Sequence, residues 1–149
     1  MKKYILAVVM GVMMVGSAQA LEVGGVGGYY NATDRYFAGV TLSQRFGAFE
    51  GLVGIDRATE GDNQTRYTVG GGVDMFDAGP VTFGLTGGLH YLDNSDSDSD
   101  WAYSFGASAR APIANQFSLV GGVSYQRALE PEVKDHEGVV ANIGIRYSF

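Results

Sequence analysis

From Leu21 onward the chain has a hydropathy period of two, and that alternation runs through eight segments of about 9 to 12 residues. Tyr67, Val69, Gly71, Val73 and Met75 oppose Arg66, Thr68, Gly70, Gly72 and Asp74. Val81, Phe83, Leu85, Leu89 and Tyr91 oppose Thr82, Gly84, Thr86, Gly88 and His90. The first segment, Leu21 to Tyr30, shows it least, because it carries four glycines. Side chains on a strand point alternately to its two faces, so each segment is a strand with one bulky and one small or polar face. A water-soluble β-sandwich also alternates, but it buries its bulky face and sets long charged side chains outside. Here the face opposite the bulky one is mostly Gly, Ser and Thr, which suits the interior of a narrow closed barrel whose bulky face meets lipid. Ten residues at about 3.4 Å each, tilted near 40°, cover roughly 26 Å, the height of an apolar bilayer band. The expected fold is all-β: an eight-stranded antiparallel up-and-down transmembrane β-barrel.

The residues before Leu21 read differently. Lys2 and Lys3 precede an apolar stretch from Tyr4 to Val15, and Ala18-Gln19-Ala20 offers a small-x-small cleavage pattern. Residues 1–20 are therefore expected to be a secretory signal peptide cleaved after Ala20, and residues 21–149 the barrel. The alternative, an uncleaved anchor, requires about 20 apolar residues, more than this stretch has. Without the two lysines the formal net charge falls from -6 to -8, which disfavours a nucleic-acid partner. With no cysteine, an exported chain has no disulfide framework, and no cofactor is expected.

The connections alternate in length. Gly47-Ala48, Asp77 to Pro80 and Pro112 to Asn115 are read as short turns, and Ala58 to Gln64, Asp93 to Asp100 and Leu129 to Gly138 as longer polar loops, with Asn31 to Asp34 a short exception. Barrels of the outer membrane keep short turns in the periplasm and longer loops outside, which would place both ends of the barrel in the periplasm. Tyr29, Tyr36, Tyr67, Tyr91, Trp101 and Tyr125 fall at the loop end, and Phe46, Phe49, Phe76, Phe117, Tyr147 and Phe149 at the turn end, as two interfacial girdles.

The last strand reads Asn142-Ile143-Gly144-Ile145-Arg146-Tyr147-Ser148-Phe149. It resembles the β-signal of outer-membrane proteins, and the resemblance implies that barrel-assembly machinery reads Asn142, Gly144, Tyr147 and Phe149. As a whole the segment from Leu21 is similar to the small eight-stranded outer-membrane barrels: the OmpA membrane domain, the OmpX and Ail type and the opacity proteins. That likeness implies a monomer among outer-membrane lipids and lipopolysaccharide, in the cell outer membrane of a Gram-negative bacterium. Architecture alone does not fix the role of such barrels.

Strand direction assigns the inward charges a height. Glu22, Arg45, Glu50, Asp74, Arg110 and Arg146 are expected near the periplasmic end, three acids with three bases, and a confined lumen requires them to pair. The reading is a neutral salt-bridge plug, with a gated ion path as the alternative. Asp56 and Arg66 share one face of a hairpin nearer the outer end and are expected to pair, with His90 and Gln126 close to that level. Arg57 and Arg127 end their strands on the outward face, where they suit lipopolysaccharide phosphates or simple snorkelling to water. The acidic run Asp93 to Asp100 lacks the glycine and closing glutamate of a calcium loop and reads as a solvated loop. Asn31-Ala32-Thr33 and Asn63-Gln64-Thr65 match glycosylation acceptors but fit turns. Barrels that deacylate lipid A carry a histidine followed two residues later by serine on the lipid face. Here Leu92 follows His90 and Gly138 follows His136, so no catalytic set is named. The functional expectation is a non-enzymatic barrel acting in envelope integrity or surface interaction through its loops. A small pore is the alternative, and a lipid A-modifying enzyme a weaker one.

Overall fold

The computed structural model describes residues 20–59, 64–93, 100–129 and 137–149. They form eight strands: β1 (Leu21–Tyr30), β2 (Arg35–Phe46), β3 (Phe49–Ala58), β4 (Thr65–Ala78), β5 (Val81–Asp93), β6 (Asp100–Ala114), β7 (Phe117–Ala128) and β8 (Gly138–Ser148). Each pairs antiparallel with the next, and β8 returns to β1 to close a barrel. Closure gives every backbone N–H and C=O a partner strand, the condition for crossing hydrocarbon with β structure.

The pairing once around the barrel fixes its dimensions. Glu22 pairs with Ser43, Ser43 with Leu52, Leu52 with Gly70, Gly70 with Gly88, Gly88 with Ser104, Ser104 with Gln126 and Gln126 with Gly138. Gly138 lies against Ala32, in the turn just past β1 and ten residues beyond the starting Glu22. Eight strands with that stagger tilt by about 40° and enclose a backbone cylinder roughly 16 Å across, which inward side chains largely fill.

The alternation is inside-out relative to a water-soluble protein. Phe49, Phe105 and Ile143 stand on the outer surface at 64 %, 60 % and 60 % exposure, a continuous apolar face of the kind lipid covers. Buried apolar side chains are few. Tyr30, Phe37 and Val140 cluster at the loop end of the lumen, with Leu92, Ala102 and Ala128 buried at a similar height. The rest of the interior is mostly polar or glycine, with Val26, Leu52 and Val120 as further inward apolar side chains.

Ring contacts join neighbouring strands at both rims. Tyr29 meets Tyr36 and Tyr91 meets Trp101 at the loop end, with centroids 5.3 and 5.2 Å apart. Phe76 stacks on Phe83 and Phe117 tilts against Tyr147 at the turn end, at 5.2 and 5.1 Å.

Two irregularities depart from strict alternation. The register of β4 against β5 shifts between Asp74 and Phe76, so Met75 is an extra, outward residue and Phe76 also faces out to reach Phe83. The register of β6 against β7 shifts likewise between Pro112 and Ala114 around Ile113. The third short connection is therefore Asn115-Gln116 and not the expected Pro112 to Asn115. Pro112 continues the strand because a bulge is one of the few strand positions that tolerates a residue without an N–H. The second connection tightens to Gly79-Pro80, where Gly79 takes φ +63° and Pro80 follows, a sequence suited to a primed two-residue hairpin. Gly47 at φ +67° does the same between β2 and β3.

Candidate functional site

The tilt and stagger bring charges from six strands to one height in the lumen. Glu22 on β1, Arg45 on β2, Glu50 on β3, Asp74 on β4, Arg110 on β6 and Arg146 on β8 fall within roughly 4 Å along the axis near the turn end. Arg110 reaches Glu22 Oε1 at 3.5 Å and Glu50 Oε2 at 2.7 Å. Arg146 bonds Glu50, reaches Glu22 Oε2 at 3.5 Å, and donates to Ser43 Oγ at 3.4 Å. Arg45 bonds Asp74 at the edge of the layer, where both side chains are about twice as exposed as Arg110 and Glu50. The layer is neutral, and each buried carboxylate has a guanidinium. Ser43, 1 % exposed, also donates to Glu22. It was not singled out from the sequence, although alternation places it inward two residues from Arg45.

A second layer lies toward the loop end. Arg66 donates from Nε to Asp56 Oδ2 at 3.0 Å and from Nη1 to Gln126 Oε1 at 3.2 Å, and its guanidinium sits 4.5 Å from the centre of the Phe37 ring. Gln126 in turn donates to the Tyr30 hydroxyl at 3.4 Å. The cation rests between a carboxylate, an amide and a ring face, each of which favours it. His90 lies at this level between Thr68 Oγ1 at 3.0 Å and Ser104 Oγ at 2.7 Å. These contacts turn the imidazole into the lumen, away from the lipid face.

Between the two layers several inward positions shrink to glycine, Gly54, Gly70, Gly88 and Gly122 among them, beside small or apolar side chains such as Thr86 and Val120. A Cβ on Gly106 would strike the Val123 carbonyl oxygen and Ser124, so close strand approach requires glycine there. The result is a cavity of about 190 Å³ bounded by Glu50, Arg110 and Arg146 at one end and by Asp56, Arg66 and Gln126 at the other. Arg146 Nε has no hydrogen-bond partner among the described residues. A polar space of this size has room for several waters.

The other singled-out residues lie elsewhere. Gly144 and Asn142 are on the inner side of β8, with Gly144 against Gly25 across the closing seam and Asn142 lining the cavity. Tyr147 donates to Gln116 Oε1 at 3.2 Å, and Phe149, 72 % exposed, meets the Tyr147 ring edge-on at 5.0 Å. Arg127 pairs with Glu137 at 3.1 Å on the outer surface, so any phosphate there competes with a carboxylate already in place. Arg57 is exposed at the end of β3. Asn31-Ala32-Thr33 forms the turn between β1 and β2. The signal-peptide segment, the acidic run from Asn94 to Ser99, Asn63 and His136 fall outside the described residues.

No family model matches the chain, and no curated protein matches it. Solved structures do. The N-terminal β-barrel domain of Pseudomonas aeruginosa OprF superposes with a TM-score of 0.72 at 16 % identity, covering 87 % of this chain and 97 % of that one. Neisserial surface protein A superposes at 0.65 and 13 % identity, covering 87 % and 96 %. The Yersinia pestis outer membrane protein Ail, in a phospholipid nanodisc, superposes at 0.56 and 12 % identity, covering 88 % and 100 %. At such identities the likeness is one of fold: an eight-stranded barrel of the small outer-membrane type.

Proposed function

We propose that this chain, a barrel with the fold of the small outer-membrane proteins, is an integral protein of the cell outer membrane that works without catalysis, in envelope integrity or surface interaction. The observation that carries this reading is the division of the molecule. Its outer face is apolar between two aromatic rims, and its lumen is crossed by two paired layers. Chemistry exposed to a partner is thus left to the loop end. On this reading the three acids and three arginines of the lower layer are a structural plug, and Arg57 and Arg127 touch lipopolysaccharide headgroups. Asn142, Gly144, Tyr147 and Phe149 are read by the assembly machinery, after which the barrel stands as a monomer. His90 serves the lumen network rather than lipid hydrolysis. A deletion strain tests the reading: loss of surface binding or a leakier envelope, restored by the intact gene, is expected, and an unchanged envelope with unchanged binding overturns it.

The cavity between the layers favours one second reading, a small pore. Planar-bilayer recordings separate the two, because steady channels from the intact barrel would support conduction and silence the plug.

A further inference from the structure

The lumen cavity has two unlike walls. Val26 on β1, Leu52 on β3 and Val120 on β7 present hydrocarbon to it, while Thr86 on β5 and Ser108 on β6 present hydroxyls. Val26 and Thr86 stand four strands apart in a closed barrel of eight, so they face each other across the axis. All five residues are partly exposed although they point inward, and inside a closed barrel that exposure opens onto the cavity. The Thr86 and Ser108 hydroxyls bond no described residue, and neither oxygen is sealed within the wall. Water alone leaves the hydrocarbon side wetted, which is unfavourable. A guest that is apolar along one side and carries a hydroxyl on the other satisfies both walls at once.

Size and charge narrow the guest further. The volume of about 190 Å³ exceeds the roughly 150 Å³ at which an apolar cavity accepts benzene, so a compact molecule of about six to eight non-hydrogen atoms fits. Its charge must be zero. Glu22 and Glu50 are balanced by Arg110 and Arg146 at the turn end, and Asp56 by Arg66 at the loop end. An ion would lose its hydration there and find no spare counter-charge. The way in is the edge of the lower layer. Asp74 lines the cavity, yet its side chain is 29 % exposed and that of its partner Arg45 27 %, against 14 % for Glu50. Across the strands Asp74 pairs with Gly84, which adds no side chain to narrow the opening.

We propose that the lumen binds one compact neutral alcohol of the phenol or cyclohexanol kind. Its ring lies against Val26, Leu52 and Val120, its hydroxyl bonds Thr86 and Ser108, and it enters from the turn end past Arg45 and Asp74. The site uses no loop residue, so its failure and a failure of the surface role are separate results.

Phenol, uncharged at neutral pH, is the probe. The barrel is extracted from membranes of cells expressing the full chain, carried into deuterated lipid nanodiscs with methyl-labelled valine and leucine, and titrated while nuclear Overhauser contacts from the ring to methyl groups are read. Saturable contacts to Val26, Leu52 and Val120 are expected. Val69 and Leu85, exposed on the lipid face, report phenol dissolved in the bilayer, and contacts confined to them overturn the proposal. Benzene and benzoate should reach the interior methyls more weakly, and equal binding of either overturns the chemical assignment. Thr86→Val removes a hydroxyl at nearly constant volume and should weaken phenol about threefold to tenfold, the weight of one hydrogen bond, with benzene unchanged. Ser108→Leu fills the cavity and should abolish the interior contacts, and Thr86→Leu serves the same purpose if Ser108→Leu fails the heat-modifiable gel shift that marks a folded barrel. Interior contacts that survive in a folded, filled variant overturn the site. Asp74→Ala should speed phenol exchange about twofold to fivefold, the release of one partly exposed ion pair, with affinity kept, and an unchanged rate overturns the route of entry.

Discussion

Glu50 accepts from both Arg110 and Arg146, whereas Asp74 accepts from Arg45 at the more exposed edge of the same layer. The two carboxylates should therefore differ in worth. Glu50→Ala leaves two guanidinium groups short of charge in a confined lumen and is expected to cost about 3 kcal/mol of unfolding free energy. Asp74→Ala frees an arginine that solvent reaches and should cost about 1 kcal/mol. Urea unfolding of the barrel in lipid vesicles measures both, and equal losses would mean that the layer does not act through desolvated pairing. The residue types of this layer were readable before any coordinates, because period-two alternation names the inward side and strand direction names the height. The partners were not readable, since which arginine reaches which glutamate depends on a ten-residue stagger that only the closed register supplies. Ser43 and the Tyr30–Gln126 contact depend on the same stagger.

Strand limits followed the alternation closely, including the glycine-rich β1, because outward and inward sets are separated by side-chain size. The two bulges did not. Met75 and Phe76 are adjacent and both suit the lipid face, a pair that strict alternation cannot accommodate, and that conflict was the available signal. Pro112 was read as a turn residue because proline usually interrupts strands, and the bulge at Ile113 removes the objection. The weakest element on propensity grounds is β1, so the closing seam is where a single group should matter most. Gly144→Val would push its side chain into the Gly25 carbonyl oxygen and is expected to cost about 1–3 kcal/mol or block closure. Gly25→Val, facing open space on the same seam, should stay within about 0.5 kcal/mol of the wild type. Refolding yield by gel shift reports both, and equal behaviour would show that the seam is not tightly packed. Phe149 makes a separate case. Mostly exposed, it contributes little to packing, so removing it should leave detergent refolding intact while lowering the amount assembled in cells. Parallel loss in the two assays would assign it to stability instead of recognition.

For the whole molecule the question is whether the lumen is one barrier or two. The lower layer of Glu22, Glu50, Arg110 and Arg146 and the upper set of Asp56, Arg66 and Gln126 lie in series, with the glycine-lined cavity between them. Resistances in series add, so opening one layer leaves the other in the path, and an ion entering the cavity still faces desolvation at the second. The wild-type barrel and the single variants Glu50→Ala and Arg66→Ala are each expected to remain silent in planar bilayers. The double variant Glu50→Ala/Arg66→Ala removes the central group of both layers and should give steady channels, provided its gel shift shows a folded barrel. A single variant that conducts as well as the double would show that one layer alone closes the lumen. The cavity would then be the vestibule of a singly gated pore, and the second reading of function would displace the first.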